Sequence, residues 1–443
     1  LPVTRNSMRV LFVGLPGSIH TARWIAQLPT EDWDVHLFPV ELFQVREEMP
    51  RLTLHDVDDP AGRPYPAGVR LRDRFFATWG WNWPLPWGRY RAAGLAARWS
   101  RDFQDRASRL ARLIDRLRPD IVHSLTIHQA GRLTWQARQL CRRPFPKWIV
   151  SNWGSDIYLF GRLPDFAEGV RLAVADCDYY WCECLRDQRL AEELGLRGST
   201  LPIVPGCGGF DLEEAARAES GEPPSRRRVV VLKGYQDWAG RALVGLHALQ
   251  LCADLLRGGG YRVVIYTGGR DPEAVRIAAQ LFSQDTGVPV EVLPPRTPHF
   301  EMLRTHGRAR ISIGLNISDS ISISMLEAML VGSFPIQSNT GAGEDWIESG
   351  ENGILLPPED PQPVAAAIRR ALTDDVLVDA AAAINRRRVA ERCDRERIRQ
   401  IVRESYREVC SGEPLPTGSP LYPPDHPAWN RIPMNSRKVQ PRC

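Results

Sequence analysis

Two carboxylates eight positions apart, Asp319 and Glu327, stand in the run SDSISISMLEAMLVGSFPIQS at residues 318–338. The first lies in a serine-rich loop; the second lies inside the apolar helix that follows and that a glycine ends. A helix start carries amides without intrahelical acceptors, so the residues from Ser322 onward suit a phosphate. An ionised carboxylate offers two acceptor oxygens. Asp319 therefore suits the hydroxyls of a sugar, and Glu327 the paired hydroxyls of a ribose. Together they describe a site for a nucleotide-sugar.

Two cations could serve the same ligand. In VVVLKGYQDWAGRAL, Lys233 ends a strand and Arg241 opens the next helix. Placed there, they could clamp a diphosphate and neutralise it as it leaves, without magnesium. A solvated loop lysine is the plainer alternative for Lys233. Gly14 and Gly17, in the turn GLPGS after the first strand, could bring amides to a phosphate, although ordinary turn geometry explains them equally well. The turn is not GxGxxG, and no acid closes the second strand to hold a ribose, which disfavours a nicotinamide or flavin site. His20 follows at the start of the first helix. His123, His128 and Asp156 come after two further strands, where ligands of open α/β sheets bind. His123 reads as an interior histidine, and His128, past its strand, as the better cleft residue. Without HExxH, paired CxxC or a His-x-His array, no catalytic metal is expected.

The elements that must position these groups alternate along the chain. Strands are expected at 9–13, 34–40, 120–124, 147–151, 178–182 and 200–204, with helices at 20–28, 91–117, 129–142, 166–175 and 185–194. The polar stretch 211–228, with SGEPPSRRR, reads as a linker. Alternation then restarts, with strands at 229–232, 262–267, 289–293, 310–316, 334–338 and 353–356. Helices follow at 363–372, 376–388 and 394–409. Such alternation predicts parallel, doubly wound sheets, and its restart predicts two similar Rossmann-like domains. The expected division is 8–210, the linker 211–228, a second domain 229–375, returning helices 376–410, and a proline-rich tail 411–443 without regular structure.

Composition narrows the class. The 443 residues are 43% hydrophobic and 25% charged, ordinary for a globular protein of two or three domains. No apolar run approaches the roughly 20 residues of a membrane-spanning helix. The start does not read as a signal peptide, and Met8 is expected to lie close to the natural beginning. Nine scattered cysteines fit a reduced, cytoplasmic chain. A net charge of +4 does not suggest nucleic acid as a partner. Only three of the 57 basic residues are lysines, Lys147, Lys233 and Lys438, an arginine bias that points to a GC-rich, bacterial genome. The segment FFATWGWNWPLPWGRY, 75–90, has three readings: packing under a loop, a stacking surface for an acceptor sugar, or a peripheral contact with the inner face of the membrane.

From about Met8 to Val409 the sequence resembles the retaining glycosyltransferases of family 4, which have the GT-B fold. MRVLFVGLPGSIHTARW, PDIVHS, WGSD, SISMLEAMLVGSFPI and GENGILL carry the likeness. The family's signature is two glutamates with seven residues between them; here Asp319 stands at the first position and Glu327 at the second. The resemblance implies two Rossmann-like domains facing a central cleft, and metal-independent transfer of a sugar from a nucleotide-diphosphate sugar to an acceptor hydroxyl. The acceptor would be a glycan, a lipid-linked intermediate or a secondary metabolite. Glu327 would hold the ribose, and Lys233 and Arg241 the diphosphate. Asp319, with Ser320, Ser322 and Ile323 nearby, would hold the transferred sugar. Gly14 and Gly17 would complete the donor side, His128 would be the histidine that the family often has near the anomeric carbon, and His20 and Asp156 would face the acceptor. The family's arginine, glycine and lysine run is not reproduced around Arg241. A GT-B epimerase or phosphorylase, or a binding protein without turnover, is the alternative.

Overall fold

A computed structural model describes residues 7–41, 45–55, 65–72, 106–268, 271–413 and 421–422. The tryptophan-rich segment 75–90 and the first part of the helix expected at 91–117 lie outside the described residues. Among the described residues, fourteen strands form two all-parallel sheets. The first contains β1 (Arg9–Gly14), β2 (Asp34–Pro39), β3 (Leu52–His55), β4 (Val69–Arg72), β5 (Ile121–Leu125), β6 (Lys147–Ser151), β7 (Tyr179–Trp181) and β8 (Ser199–Thr200). Its order is β4-β3-β2-β1-β5-β6-β7-β8. The second contains β9 (Val229–Tyr235), β10 (Arg262–Gly268), β11 (Val290–Leu293), β12 (Ala309–Gly314), β13 (Phe334–Ser338) and β14 (Ile354–Leu356), in the order β11-β10-β9-β12-β13-β14. The expected pair of doubly wound, Rossmann-like domains is what the chain forms.

The sequence explains the central strands directly. RVLFVG and VVVLKGY are near-continuous apolar runs, as strands covered by helices on both faces require. Short polar side chains begin the helices between them. Ser18 accepts from the amide of His20, and Asp271, Asp360, Asp374 and Asp394 each accept from a first-turn amide of the helix they precede.

Several expectations change. Strands β3 and β4 were not anticipated, because LTLH and VRLR are too short and too polar to stand out. The strand expected at 200–204 shortens to Ser199–Thr200, where the β7 pairing stops. The stretch 211–228 is not a loose linker. Asp211 caps the helix Leu212–Ala218, and the buried Arg227 donates to the carbonyls of Glu222, Ala309 and Val331. Two of its charges, Asp211 and Arg227, serve a cap and carbonyls. The helix expected at 129–142 begins as a π-helix, Ile127–Gly131, and continues as Arg132–Arg138.

The helix Arg395–Ser411 packs on the first sheet, with Ile398, Val402, Tyr406 and Val409 in one core with Val10, Phe12 and Trp24. Tyr406 accepts from the indole of Trp24 at 3.0 Å and bonds to Nδ1 of His123. Nε2 of His123 meets Ser151 Oγ at 2.7 Å. Burial pushes the His123 imidazole down to about 3, so its neutral ring serves once as donor and once as acceptor. As expected, it is an interior residue, though side chains rather than backbone satisfy it. Within the proline-rich tail, the described residues Leu421 and Tyr422 are fully buried in the core that spans both domains.

Candidate active site

Each sheet has one switch point, between β1 and β5 in the first and between β9 and β12 in the second. Loops leave neighbouring strands in opposite directions there and open a crevice at the carboxyl ends. The two crevices face each other. Ser318 Oγ donates to Ser155 Oγ at 3.0 Å, and the rings of Phe160 and Trp238 lie 5.4 Å apart, each pair joining the two domains.

On the second domain, Lys233 lies near the carboxyl end of β9 and Asp319 lies in the loop beyond β12. Their Nζ and Oδ2 are 4.0 Å apart. Asn316 Nδ2 donates to the same Oδ2 at 2.9 Å, and the Ser320 amide donates to Oδ1 at 3.0 Å. Asp319 is therefore aimed by two neutral donors and faces one cation. Ser322 caps the helix Ile323–Leu330 by position, without a side-chain bond to it. The amides of Ile323 and Ser324, in its first turn, keep no intrahelical acceptor. Glu327, one turn further and nearly buried, accepts from Nε2 of His299 at 2.9 Å. Burial would raise its carboxyl, but the hydrogen bond and charge of His299, with Arg23 beyond, hold it below the usual range.

Two predicted donor residues are engaged elsewhere. The Arg241 guanidinium meets Glu359 at 3.1 Å and the carbonyls of Asp237, Ala239 and Gly240. The Ser320 side chain is buried and donates to Asp187 at 2.8 Å. Only the backbone of Ser320 helps to build the Asp319 loop.

On the first domain, Gly14 passes close beneath Leu125, where a Cβ would stand 3.3 Å from that residue's own. Gly17 is exposed in the turn. His20 is exposed and lies 5.7 Å, ring to ring, from Trp153. Desolvation and the charge of Arg23 push its imidazole down, against the pull of Asp319 and Glu327. His128 projects from the π-helix, an element frequent at functional sites. Thr126, which caps it, has φ of 103°, a conformation that costs roughly 1–3 kcal/mol. Nδ1 of His128 bonds Asp156 Oδ1 at 2.6 Å, and its ring stacks on Phe160 at 4.0 Å. Asp156 also accepts from the Trp153 amide at 2.8 Å. It is buried and holds His128 rather than facing the cleft itself.

Sequence reasoning missed His299, which stands 28 residues before Glu327 with no spacing to link them. It also missed Asn152, Glu183, Arg186 and Asp187, which close the first domain's side. Asn152 directly before the glycine turn WGSD, and the acids of CECLRD after a strand, were the available signals.

A family model described as glycosyl transferases group 1 matches residues 242–374, and one described as glycosyl transferase 4-like matches residues 96–176. A search of curated proteins finds no match. Among solved structures, sucrose-phosphate synthase from Thermosynechococcus elongatus is similar, with a TM-score of 0.67 at 15% identity over 92% of this chain and 100% of that one. HepE of Anabaena, in complex with UDP-glucose, has a TM-score of 0.61 at 14% identity over 90% and 100%. A glycosyltransferase from Rickettsia africae has a TM-score of 0.60 at 14% identity over 91% and 99%. These likenesses show the GT-B fold, and the family models fall on both domains. Glycosyl transferase models thus match part of each domain of this GT-B fold, residues 96–176 in the first and 242–374 in the second.

Proposed function

We propose that this enzyme transfers the sugar of a nucleotide-diphosphate sugar to an acceptor hydroxyl with retained configuration and without a metal ion. The observation that carries the proposal is the cation–acid arrangement at the second switch point. Lys233 stands beside Asp319, and Glu327 is kept ionised by His299. The ribose hydroxyls go to Glu327, and the diphosphate to Lys233 and the first-turn amides of the helix Ile323–Leu330. The transferred sugar goes to Asp319. Arg241 joins the diphosphate only by releasing Glu359.

The bond from the anomeric carbon to the leaving phosphate oxygen breaks as the bond to the acceptor oxygen forms on the same face. The acceptor proton passes to that phosphate oxygen, which balances the charge without a protein nucleophile. The enzyme's work is then orientation and stabilisation of the departing diphosphate. The domain built on β1–β8 takes the acceptor, a glycan, lipid-linked intermediate or secondary metabolite. His128, with Nδ1 tied to Asp156, turns Nε2 to the reacting sugar, and His20 lines the acceptor side.

UDP-glucose, present in the HepE complex, is the first donor to test. A thermal-shift screen of nucleotide-sugars identifies the donor, because a ligand of the native state raises the midpoint. Release of nucleoside diphosphate that acceptor accelerates supports transfer. Release that no acceptor changes, with epimerised sugar recovered, would replace this reading with an epimerase.

A further inference from the structure

Arg186 opens the helix Leu185–Glu193 after β7, yet its guanidinium reaches into the other domain. Nη1 donates to the Thr340 carbonyl at 3.0 Å, and Nη2 to the Asp319 carbonyl at 2.6 Å. Nε donates to Asp187 Oδ1 at 2.8 Å, and one face lies over the Tyr158 ring at 4.1 Å. Asp187 is wholly buried and uses Oδ2 to accept from Asn152 and Ser320, each at 2.8 Å. All edges of the planar fork are thus committed, which a lysine's point charge could not reproduce.

What the fork joins matters more than its bond count. Tyr158 belongs to the four-residue helix Ser155–Tyr158, which also carries Asp156, the partner of His128. The Asp319 carbonyl belongs to the residue proposed to hold the sugar. Beside them the two backbones touch: Gly154 has φ of 95°, and a Cβ there would stand 2.0 Å from the Ser320 amide. No side chain fits between, so the relative placement of the two loops is set by this contact and by the charged clasp next to it.

We infer that Arg186 is a positioning residue for sugar transfer, fixing the Asp319 loop against the Asp156–His128 element across the domain junction. The inference rests on the functional reading above. Arg186 acts through Asp319 and Tyr158, and the ribose and diphosphate groups, Glu327 and Lys233, lie outside its clasp. Its loss therefore misplaces the reacting centre while the nucleotide still binds.

The test uses the full chain and the nucleotide-sugar that most raises the wild-type thermal midpoint. Release of nucleoside diphosphate from that donor in water gives kcat and KM without an acceptor, and calorimetry gives nucleoside diphosphate affinity. Arg186→Ala should lower kcat about 100-fold, the scale of a 1 Å misplacement, and leave nucleotide affinity within about threefold. Guanidinium ion at millimolar levels should restore part of that rate in Arg186→Ala and none in Lys233→Met. Should Arg186→Ala fail to fold, Arg186→Lys, which keeps the charge beside Asp187 but not the fork, should show the same split. Near-normal kcat in Arg186→Lys would overturn the inference, as would affinity falling in step with kcat or an absence of guanidinium rescue. A wild type that binds no nucleotide-sugar removes the functional reading and this inference together. A wild type that turns over while the variants match it removes the inference alone.

Discussion

The Lys233 ammonium lies 4.0 Å from Asp319 Oδ2, close enough to be attracted and too far for a hydrogen bond. Asn316 already donates to that oxygen at 2.9 Å, so the lysine can turn to a phosphate without stripping the acid of partners. Its replacement by methionine should weaken nucleoside diphosphate binding and lower kcat together, because it stabilises charge that grows as the diphosphate leaves. EDTA should leave initial rates intact. Activity lost to EDTA and restored by manganese would show that a metal, and not Lys233, neutralises the leaving group.

Glu327 and His299 form a second pair, 2.9 Å apart. Glu327→Gln should weaken nucleoside diphosphate binding by about 1.5–3 kcal/mol, the worth of hydrogen bonds to a charged acceptor. His299→Leu is the more informative change. Burial alone raises the Glu327 carboxyl, and His299 is what reverses that. The wild-type carboxylate, held low, stays ionised from pH 8 down to 5. Without His299 its pKa rises, and nucleotide affinity should then fall as the pH is lowered across that range. A flat profile in His299→Leu, measured calorimetrically, would remove Glu327 from the nucleotide site.

His128 depends on Asp156 for its ring orientation. His128→Ala should lower turnover steeply with little change in nucleotide affinity, as for a group acting mainly in the transition state. Asp156→Asn should reproduce much of that loss, because an amide can present the wrong partner to Nδ1. Near-normal turnover in both variants would make the pair structural and turn attention to His20.

These groups were unequally legible in the sequence. Asp319, Glu327 and Lys233 stand out because an apolar, β-branched run marks the strand that Lys233 lies in and the strand that Asp319 and the helix of Glu327 follow. Their partners do not. His299 reaches Glu327 because parallel crossovers bring distant loops to one edge of a sheet, and Asp187 reaches Ser320 because the two domains meet there. Local periodicity carries no record of such pairings. The stretch 211–228 shows the converse error: composition alone cannot distinguish a solvated arginine from Arg227, whose guanidinium is buried on backbone carbonyls. Arg241 stands where expected, but nothing in its neighbourhood indicated Glu359, 118 residues on, as its partner.

Glu183 predicts a pH dependence of stability. It sits buried beyond β7 and accepts from the Gly206 amide. Burial pushes its carboxyl up to about 8, with the charges of Asp319, Asp187 and Asp156 acting in the same direction. Between the ordinary carboxyl range and that value the folded chain holds a proton that the unfolded chain has lost. Stability from this group therefore falls as pH rises through the window, by at most about 1.4 kcal/mol per pH unit, and the loss is complete above it. Glu183→Gln keeps the acceptor for Gly206 and cannot ionise. Its thermal midpoint should exceed the wild type's at pH 8.5 by more than at pH 5.5. Parallel curves for the two proteins would show that Glu183 ionises normally.

The tail gives the last prediction, and it runs against the composition of the segment. Proline-rich sequence beyond Gly412 reads as dispensable, yet Leu421 and Tyr422 are buried in a core shared with Cys184, Ile321 and Trp346. The Tyr422 hydroxyl donates to Asp345, whose carboxyl burial raises to about 6. Each fully buried apolar side chain is worth roughly 1.5–3 kcal/mol, so removing both should cost several times the thermal energy at the junction of the two domains. A chain ending at Gly412 should melt several degrees below the full chain, while one ending at Pro424 should match it. Tyr422→Phe should fall between them, since it keeps the packing and loses one hydrogen bond of about 1 kcal/mol. Equal midpoints for the chains ending at Gly412 and Pro424 would mean that the two residues add nothing to the junction. A drop confined to the Gly412 chain, with nucleotide affinity retained, would place their contribution in holding the domains together rather than in the donor site.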